Sequence, residues 1–188
     1  VDLQSPVHRQ AVNWILRSLD DHQRRGDCNL LVLHINSGGG DLEQSRRLAE
    51  YLTGISKTIR TVAFVDHQAR SDAALIALAC DELVMHPEAT LGGPGEADSD
   101  RKELSAIRAA LPEIFAARGR DWSLPLALID PDLEVHRFRH PVSGEVRYLS
   151  AEELQGQDGM EDWQRDGQPL ELGRGVTGSR AEELELVR

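Results

Sequence analysis

Residues 67–94 read HQARSDAALIALACDELVMHPEATLGGP, and the rest of the chain can be placed around them. A polar loop leads to a lone serine, Ser71, which is followed by small apolar residues from Ala73 to Cys80. Such a run predicts a helix that is buried on all sides. Ser71 would then lie at a helix N-terminus, where unpaired N–H groups and the helix dipole favour a hydroxyl that develops negative charge. A structural alternative stays open, because Ser71 with Asp72 is also an ordinary way to begin a helix.

A second informative stretch lies upstream, where a buried strand meets three glycines. The run Leu30–Ile35, LLVLHI, predicts a parallel strand covered on both faces. It ends at Asn36, and Gly38–Gly40 then lead into a predicted helix over Asp41–Leu52. A glycine turn of this kind can direct N–H groups at an oxyanion or a phosphate, but it matches neither common nucleotide-binding pattern. It can equally be a simple strand-to-helix turn with Asp41 as the helix cap.

The order of elements predicts an α/β fold. Arg60–Asp66 is a second predicted strand, the Ser71 helix follows it, and Leu83–Met85 is a third predicted strand. Strands that alternate with helices pair in parallel through right-handed crossovers. The loops at the carboxyl ends of such strands lie together, so we expect the glycine turn and Ser71 to be neighbours.

Further helices are predicted on both sides of this region. Apolar spacing indicates an amphipathic helix over Val7–Arg24 and a longer one over Arg101–Arg118, with a short helix over Leu124–Ile129. Pro112 lies inside the longer helix, where a proline predicts a kink or a break.

The character of the chain changes after Pro131. Alternating apolar and polar residues on both sides of Ser143-Gly144 predict a hairpin. The final stretch, Ala151–Arg188, is acidic and turn-rich, with a possible short helix from Ser179. We therefore predict a core over residues 1–130 and, over residues 131–188, a hairpin with an acidic extension that packs on the core.

Composition excludes several classes of protein. The net charge of −11 argues against a nucleic-acid partner, because proteins that bind phosphate backbones carry basic surfaces. No apolar run reaches the roughly 18 residues that span a bilayer. The chain begins with Val1 and not with methionine, so we expect a soluble segment of a longer protein.

Lysine is scarce, which restricts the choice of an amine base. Nineteen of the cations are arginine, and only Lys57 and Lys102 are lysine. Arginine keeps its proton at any workable pH, so an amine that serves as a base must be one of these two. The seven histidines and two cysteines show no metal-ligand spacing, and we expect no metal site. His86 is an alternative base for Ser71, but we expect it to point away at the far end of the following strand.

Three stretches carry a resemblance to known proteins: INSGGGDLEQSRRLAEYL, ARSDAALIALACDELVMHPEATLGGP and RKELSAIRAALPEIFAARGRDWSLPLALIDPDLEV. Together they resemble the ClpP/crotonase superfold. They resemble in particular its signal peptide peptidase A (SppA) and NfeD-like branch of membrane serine proteases. The hairpin and the closing TGSRAEELELV are also similar to the family's C-terminal part. The resemblance covers nearly the whole chain through the order and spacing of these motifs.

This resemblance implies a Ser-Lys peptidase. Ser71 matches the nucleophile, Lys102 matches the general base, and Gly39 and Gly40 match the glycine pair whose N–H groups form the oxyanion hole. It also implies no cofactor, a peptide or membrane-protein substrate, a homo-oligomer, and membrane association through parts outside this chain.

Two other functions stay open at this point. A protease-like domain without activity could serve as an assembly or peptide-binding module, and Asp72 favours this reading because a carboxylate beside the serine opposes an oxyanion. An acyl-CoA enzyme of the crotonase type shares the superfold, but the sequence shows no acidic catalytic loop and no basic patch for the adenine phosphates.

Overall fold

A computed structural model describes residues 1–4, 6–95, 101–116 and 121–187, with the side chains of residues 101–103, 106–107 and 116 outside that description. Helices and short strands are interspersed along the described chain, and they alternate strictly from β1 to β3. The helices are α1 (Arg9–Arg25), α2 (Leu42–Ile55), α3 (Ala73–Ala79), α4 (Arg101–Ala116), α5 (Ser123–Ala127), α6 (Ala151–Gln155) and α7 (Gly178–Glu183). The strands are β1 (Asp2–Leu3), β2 (Leu30–Ile35), β3 (Arg60–Val65), β4 (Gln68–Ala69), β5 (Glu82–Met85), β6 (Thr90–Leu91), β7 (His136–Arg139), β8 (Val146–Leu149), β9 (Gln164–Arg165) and β10 (Val176–Thr177).

The central sheet is parallel, as the alternation of elements predicts. Its strand order is β1-β2-β3-β5, and every neighbouring pair runs in the same direction. The order follows the sequence because α2 and α3 form the crossovers between successive strands. The α/β fold class is confirmed, and the predicted limits of β2 agree with the structure residue for residue.

The prediction that β2 is covered on both faces is wrong. Leu31 and Leu33 are buried on the face that carries the helices, whereas Leu30 is 50% exposed and Val32 is 45% exposed. Phe64 on β3 lies on the same open side and is 38% exposed. A continuous apolar run cannot tell a strand covered once from a strand covered twice, because alternate residues are apolar in both cases.

Two small sheets complete the fold. The first has the order β10-β6-β4, and an isolated parallel bridge between Ser37 and Ala69 joins it to the turn after β2. The second is the predicted hairpin of β7 and β8, to which β9 adds a third antiparallel strand. Strand β4 of the first sheet leads directly to Ser71.

The predicted helices are present with small shifts at their ends. Asp41 caps α2, since its side chain accepts a hydrogen bond from the N–H of Gln44 at 3.1 Å. α3 is buried along its whole length, as its composition predicts. α4 continues through Pro112, so of the predicted kink or break, the break is absent.

The C-terminal stretch contributes to the core. β10 pairs with β6, and α7 follows it at once. Apolar side chains from this stretch are buried in the main hydrophobic cluster: Leu172, Val176, Ala181, Leu184 and Leu186. The extension is thus integrated with the α/β unit through both hydrogen bonds and apolar contacts.

No helix in the described ranges is long and apolar enough to cross a bilayer.

Candidate active site

Ser71 lies in a tight turn between β4 and α3. Its φ angle is +48°, in the left-handed region that residues other than glycine rarely adopt. Its N–H donates to the carbonyl oxygen of Gly93 at 3.1 Å, and its own carbonyl oxygen accepts from Ala74. Ser71 is only 6% exposed. The turn therefore holds the serine in a strained backbone conformation that two backbone hydrogen bonds stabilise.

The predicted unpaired N–H groups at the start of α3 are not available to Ser71. The N–H groups of Ala73, Ala74 and Leu75 donate to the carbonyl oxygens of the three residues Arg70, Ser71 and Asp72. α3 is also only seven residues long. These three N–H groups are therefore not free to bind an oxyanion beside Ser71.

The glycine turn, Gly38–Gly40, lies beside Ser71 as predicted. Ser37 holds it there, since its N–H donates to Gln68 O at 3.0 Å and its carbonyl oxygen accepts from Arg70 N at 2.9 Å. A Cβ atom placed on Gly39 would lie 3.0 Å from the Cβ of Ser71. The parallel sheet thus brings together two loops that are distant in sequence.

Close packing explains why glycine is required at positions 39 and 40. Gly39 has a φ of +96°, and a Cβ on it would lie 2.6 Å from Oδ1 of Asp72. A Cβ on Gly40 would lie 2.3 Å from the carbonyl oxygen of Val7, because the backbone of Val7 runs against the turn. Val7 also forms hydrogen bonds on both sides of the turn, to Gly39 O at 2.9 Å and from Asp41 N at 2.8 Å. Neither glycine tolerates a side chain in this arrangement.

Both predicted oxyanion donors have acceptors within the protein. The N–H of Gly39 donates to Oγ of Ser37 at 3.2 Å. The N–H of Gly40 donates to Oδ1 of Asp72 at 2.7 Å. Their role as oxyanion donors stays a prediction, and it requires each N–H to change partner when a substrate binds.

Asp72 is buried beneath the glycine turn and is only 1% exposed. Its second carboxylate oxygen accepts a hydrogen bond of 2.5 Å from the hydroxyl of Ser45 on α2. Burial raises the pKa of Asp72, while the hydrogen bonds from Ser45 and Gly40 act in the opposite direction. Sequence reasoning identified Asp72 as a neighbour of the nucleophile but missed these two partners. No local pattern links Asp72 with Ser45, because only the tertiary fold brings α2 against this turn.

The segment Gly92–Gly95 closes the other side of the site. The N–H of Gly93 donates to Leu128 O at 2.8 Å, which ties the segment to the end of α5. A Cβ on Gly95 would lie 3.2 Å from Oγ of Ser71. The backbone of this segment therefore lies directly beside the serine hydroxyl, and glycine is needed for that approach.

The remaining predicted residues do not contact Ser71 in the described part of the chain. Lys102 belongs to the first turn of α4, but its side chain lies outside the described residues, so the contact between Lys102 and Ser71 stays a prediction. His86 is exposed, and its Nδ1 accepts a hydrogen bond from the N–H of Glu88 at 3.2 Å. Within the described ranges, no cluster of three His, Cys, Asp or Glu side chains could hold a metal ion.

Comparison with known proteins gives a family match and a structural match. A family model described as "NfeD1b, N-terminal domain" matches residues 1–159. The Membrane protein NfeD1b of Bacillus subtilis (strain 168) is 27% identical over 158 residues, which are 81% of this chain and 35% of that protein. This chain thus spans about a third of that relative.

Two solved structures share the fold. Both are mutants of the 1510-N membrane-bound stomatin-specific protease, each 14% identical to this chain. A serine-to-alanine mutant has a TM-score of 0.53, with 82% of this chain and 73% of that chain covered. A lysine-to-alanine mutant in complex with a substrate peptide has a TM-score of 0.56, with 94% of this chain and 84% of that chain covered.

Proposed function

Because the chain belongs to the NfeD1b N-terminal domain family, we propose that it is the serine peptidase domain of a membrane-associated protein. Ser71 is the nucleophile, Lys102 is the general base, and the N–H groups of Gly39 and Gly40 bind the oxyanion. The substrates are extended hydrophobic peptide segments, which add as a strand beside the glycine turn.

The observation that carries this proposal is the backbone of Ser71. A left-handed conformation costs a residue with a side chain about 1–2 kcal/mol, and a serine that only began a helix would not need it. Strain of this kind is concentrated at catalytic turns, where it presents a nucleophile at the end of a strand. Glycine backbone packs closely against the serine on both sides.

The similar structures add support for the chemistry. Both are structures of a protease in which a serine or, separately, a lysine was replaced by alanine, and the second of them holds a substrate peptide. Ser71 and Lys102 are the serine and lysine of this chain that the sequence motifs assign to catalysis.

The reaction is acyl transfer to Ser71. Neutral Lys102 takes the hydroxyl proton, the oxygen bonds to the carbonyl carbon of the substrate, and the resulting oxyanion is bound by the glycine N–H groups. The C–N bond then breaks as Lys102 gives the proton to the leaving amine, and water hydrolyses the ester. Each oxyanion donor lowers the barrier by about 3 kcal/mol. Lys102 must lose its proton near neutral pH, which needs a pKa about 3 units below the usual 10.4 of lysine.

Covalent labelling by a fluorophosphonate tests the proposal. We expect the folded chain to be labelled at Ser71, as mapped by peptide mass spectrometry, and Ser71→Ala and Lys102→Ala to lose the label. Lys57→Ala is the matched control, because Lys57 is exposed and is the second of the two lysines. A wild-type chain that stays unlabelled while circular dichroism shows it folded rules the peptidase out.

One contact favours a second function, an assembly or peptide-binding module without activity. The N–H of Gly40 donates to the Asp72 carboxylate, so one of the two expected oxyanion donors is engaged. Such a module would bind an extended hydrophobic peptide without cleaving it. Isothermal titration with that peptide, together with mass spectrometry of the peptide afterwards, separates binding from hydrolysis. Homo-oligomerisation belongs to both proposals, and sedimentation velocity tests it.

A further inference from the structure

The Asp72 carboxylate occupies a hydrogen-bond donor that the proposed reaction needs. Gly40 N–H lies 2.7 Å from one carboxylate oxygen, and the hydroxyl of Ser45 lies 2.5 Å from the other. Asp72 is 1% exposed, so water does not weaken these bonds. The carboxylate is therefore held between the glycine turn and α2 by two short hydrogen bonds.

A backbone N–H carries one proton, so the carboxylate and an oxyanion compete for it. The two also repel each other, because both carry negative charge at the same turn. The Cβ position of Gly39 lies 2.6 Å from Oδ1 of Asp72 and 3.0 Å from the Cβ of Ser71. The carboxylate and the serine thus both pack against the same side of Gly39.

We infer that Asp72 slows the acylation of Ser71 by holding the Gly40 donor away from the oxyanion. This inference rests on the proposed peptidase function and adds a residue that sets its rate. Ser45 is the positioning residue for Asp72, because its hydroxyl fixes the second carboxylate oxygen. Acylation requires Gly40 N–H to exchange the carboxylate for the oxyanion.

A purely structural role for Asp72 predicts the opposite change in rate. If the carboxylate only supported the turn, its removal would loosen the site, and both the melting temperature and the reactivity of Ser71 would fall. If it competes for the donor, its removal lowers the melting temperature but raises the reactivity. The two roles therefore differ in the sign of the rate change.

The experiment compares fluorophosphonate labelling rates of the whole chain in three forms: wild type, Asp72→Asn and Asp72→Ala. The phosphoryl oxygen of the reagent takes the place of the oxyanion, so the rate depends on the glycine donors. We expect Asp72→Ala to react about tenfold faster or more, since one oxyanion donor changes rates by about 10²–10³. Asp72→Asn removes the charge but keeps an acceptor for Gly40 N–H, so we expect an intermediate rate.

Glu153→Gln is the matched control. Glu153 is also a buried carboxylate that accepts backbone hydrogen bonds, from the N–H groups of Trp122 and Ser123 at 2.9 Å each. It contacts neither the glycine turn nor Ser71 in the described structure, so we expect no faster labelling. A lower melting temperature without a faster reaction in this variant shows that loss of a buried carboxylate alone does not activate Ser71.

The amide signal of Gly40 provides a readout apart from rate. In a ¹⁵N-labelled sample we expect this signal to shift in Asp72→Ala, and to shift again in wild type after phosphonylation. Folded Asp72 variants that react no faster than a labelled wild type overturn the inference and leave the peptidase proposal intact. Folded chains that stay unlabelled in every form overturn both. Labelling confined to the Asp72 variants supports the inference that Asp72 restrains Ser71, but it overturns the peptidase proposal for the wild-type chain and favours the module without activity.

Discussion

At the scale of single residues, the arrangement around Ser71 depends on glycines whose backbone packs closely against neighbouring residues. Ser71 is held at positive φ, and Gly39 and Gly40 are pressed against Asp72 and Val7. The sequence suggested the importance of these glycines through their number and position after β2. It could not show that Val7 is the group that excludes a side chain at Gly40, because that contact joins the start of the chain to a distant turn.

Gly40→Ala tests this contact. The added Cβ would lie 2.3 Å from Val7 O and 2.6 Å from Val7 N, and backbone atoms cannot move aside as a flexible side chain can. We expect the free energy of unfolding to fall by about 2 kcal/mol or more, measured by urea denaturation. Gly54→Ala is the control, because Gly54 lies in α2 with open space around it. For Gly54→Ala we expect the free energy of unfolding to rise by up to about 1 kcal/mol, since alanine favours a helix more than glycine does. Equal effects at the two positions would contradict the close approach seen at Gly40.

At the scale of elements, the longer helices and strands were predictable and the two-residue strands were not. β2, β3, α2 and α3 follow from runs and spacings of apolar residues that are visible within the segment itself. β4, β6 and β10 have no such signal, because each becomes a strand only through its partners in the small sheet. The position of Ser71 beside the glycine turn was predictable from the parallel sheet. The engagement of Gly40 by Asp72 was not, since it depends on the rotamer of one side chain.

His34 joins three elements at the open side of the central sheet. Its Nε2 lies 2.9 Å from Asp66, which follows β3, and its Nδ1 lies 3.1 Å from Asp2 in β1. The hydrogen bond with Asp66 is the largest cause that raises the pKa of His34, and Asp2 adds to it. A raised pKa in the folded state means that protonated His34 favours folding. Its contribution is therefore complete below the ordinary value of 6.5 and is lost as the pH rises through the folded-state pKa.

His34→Gln tests this pH dependence. We expect the substitution to lower the free energy of unfolding, with a larger loss at about pH 5.5 than at about pH 8.5. Asp66→Asn provides a second test, because it removes the partner that does most to raise the pKa of His34. In an Asp66→Asn background we expect the effect of His34→Gln to depend much less on pH. A difference that grows toward alkaline pH would contradict the assigned direction.

At the scale of the whole molecule, the central sheet has one covered and one open face. Helices pack on the side that carries Leu31 and Leu33, while Leu30, Val32 and Phe64 remain accessible on the other. The sequence did not reveal this difference, since both faces of β2 are apolar. The choice of face depends on where the crossovers run, which is a property of the complete fold.

Neighbouring residues of β2 allow a direct test of this asymmetry. Leu33 is fully buried and Val32 is 45% exposed. We expect Leu33→Ala to lower the free energy of unfolding by about 2–5 kcal/mol and Val32→Ala by only about 0.5 kcal/mol. Chemical denaturation of the isolated chain provides both values. Similar losses for the two variants would show that the second face is covered after all.

The pairing of β10 with β6 has a consequence for how this protein folds during its synthesis on the ribosome. β6 pairs with β4, which leads into Ser71, whereas β10 with Val176 comes long after both of them in the sequence. Synthesis proceeds from the N-terminus, so the chain through Thr177 must leave the exit tunnel before that small sheet gains its third strand. A nascent chain that ends before β10 thus carries Ser71 beside a sheet of only two strands, and translation delays the completion of this part of the fold.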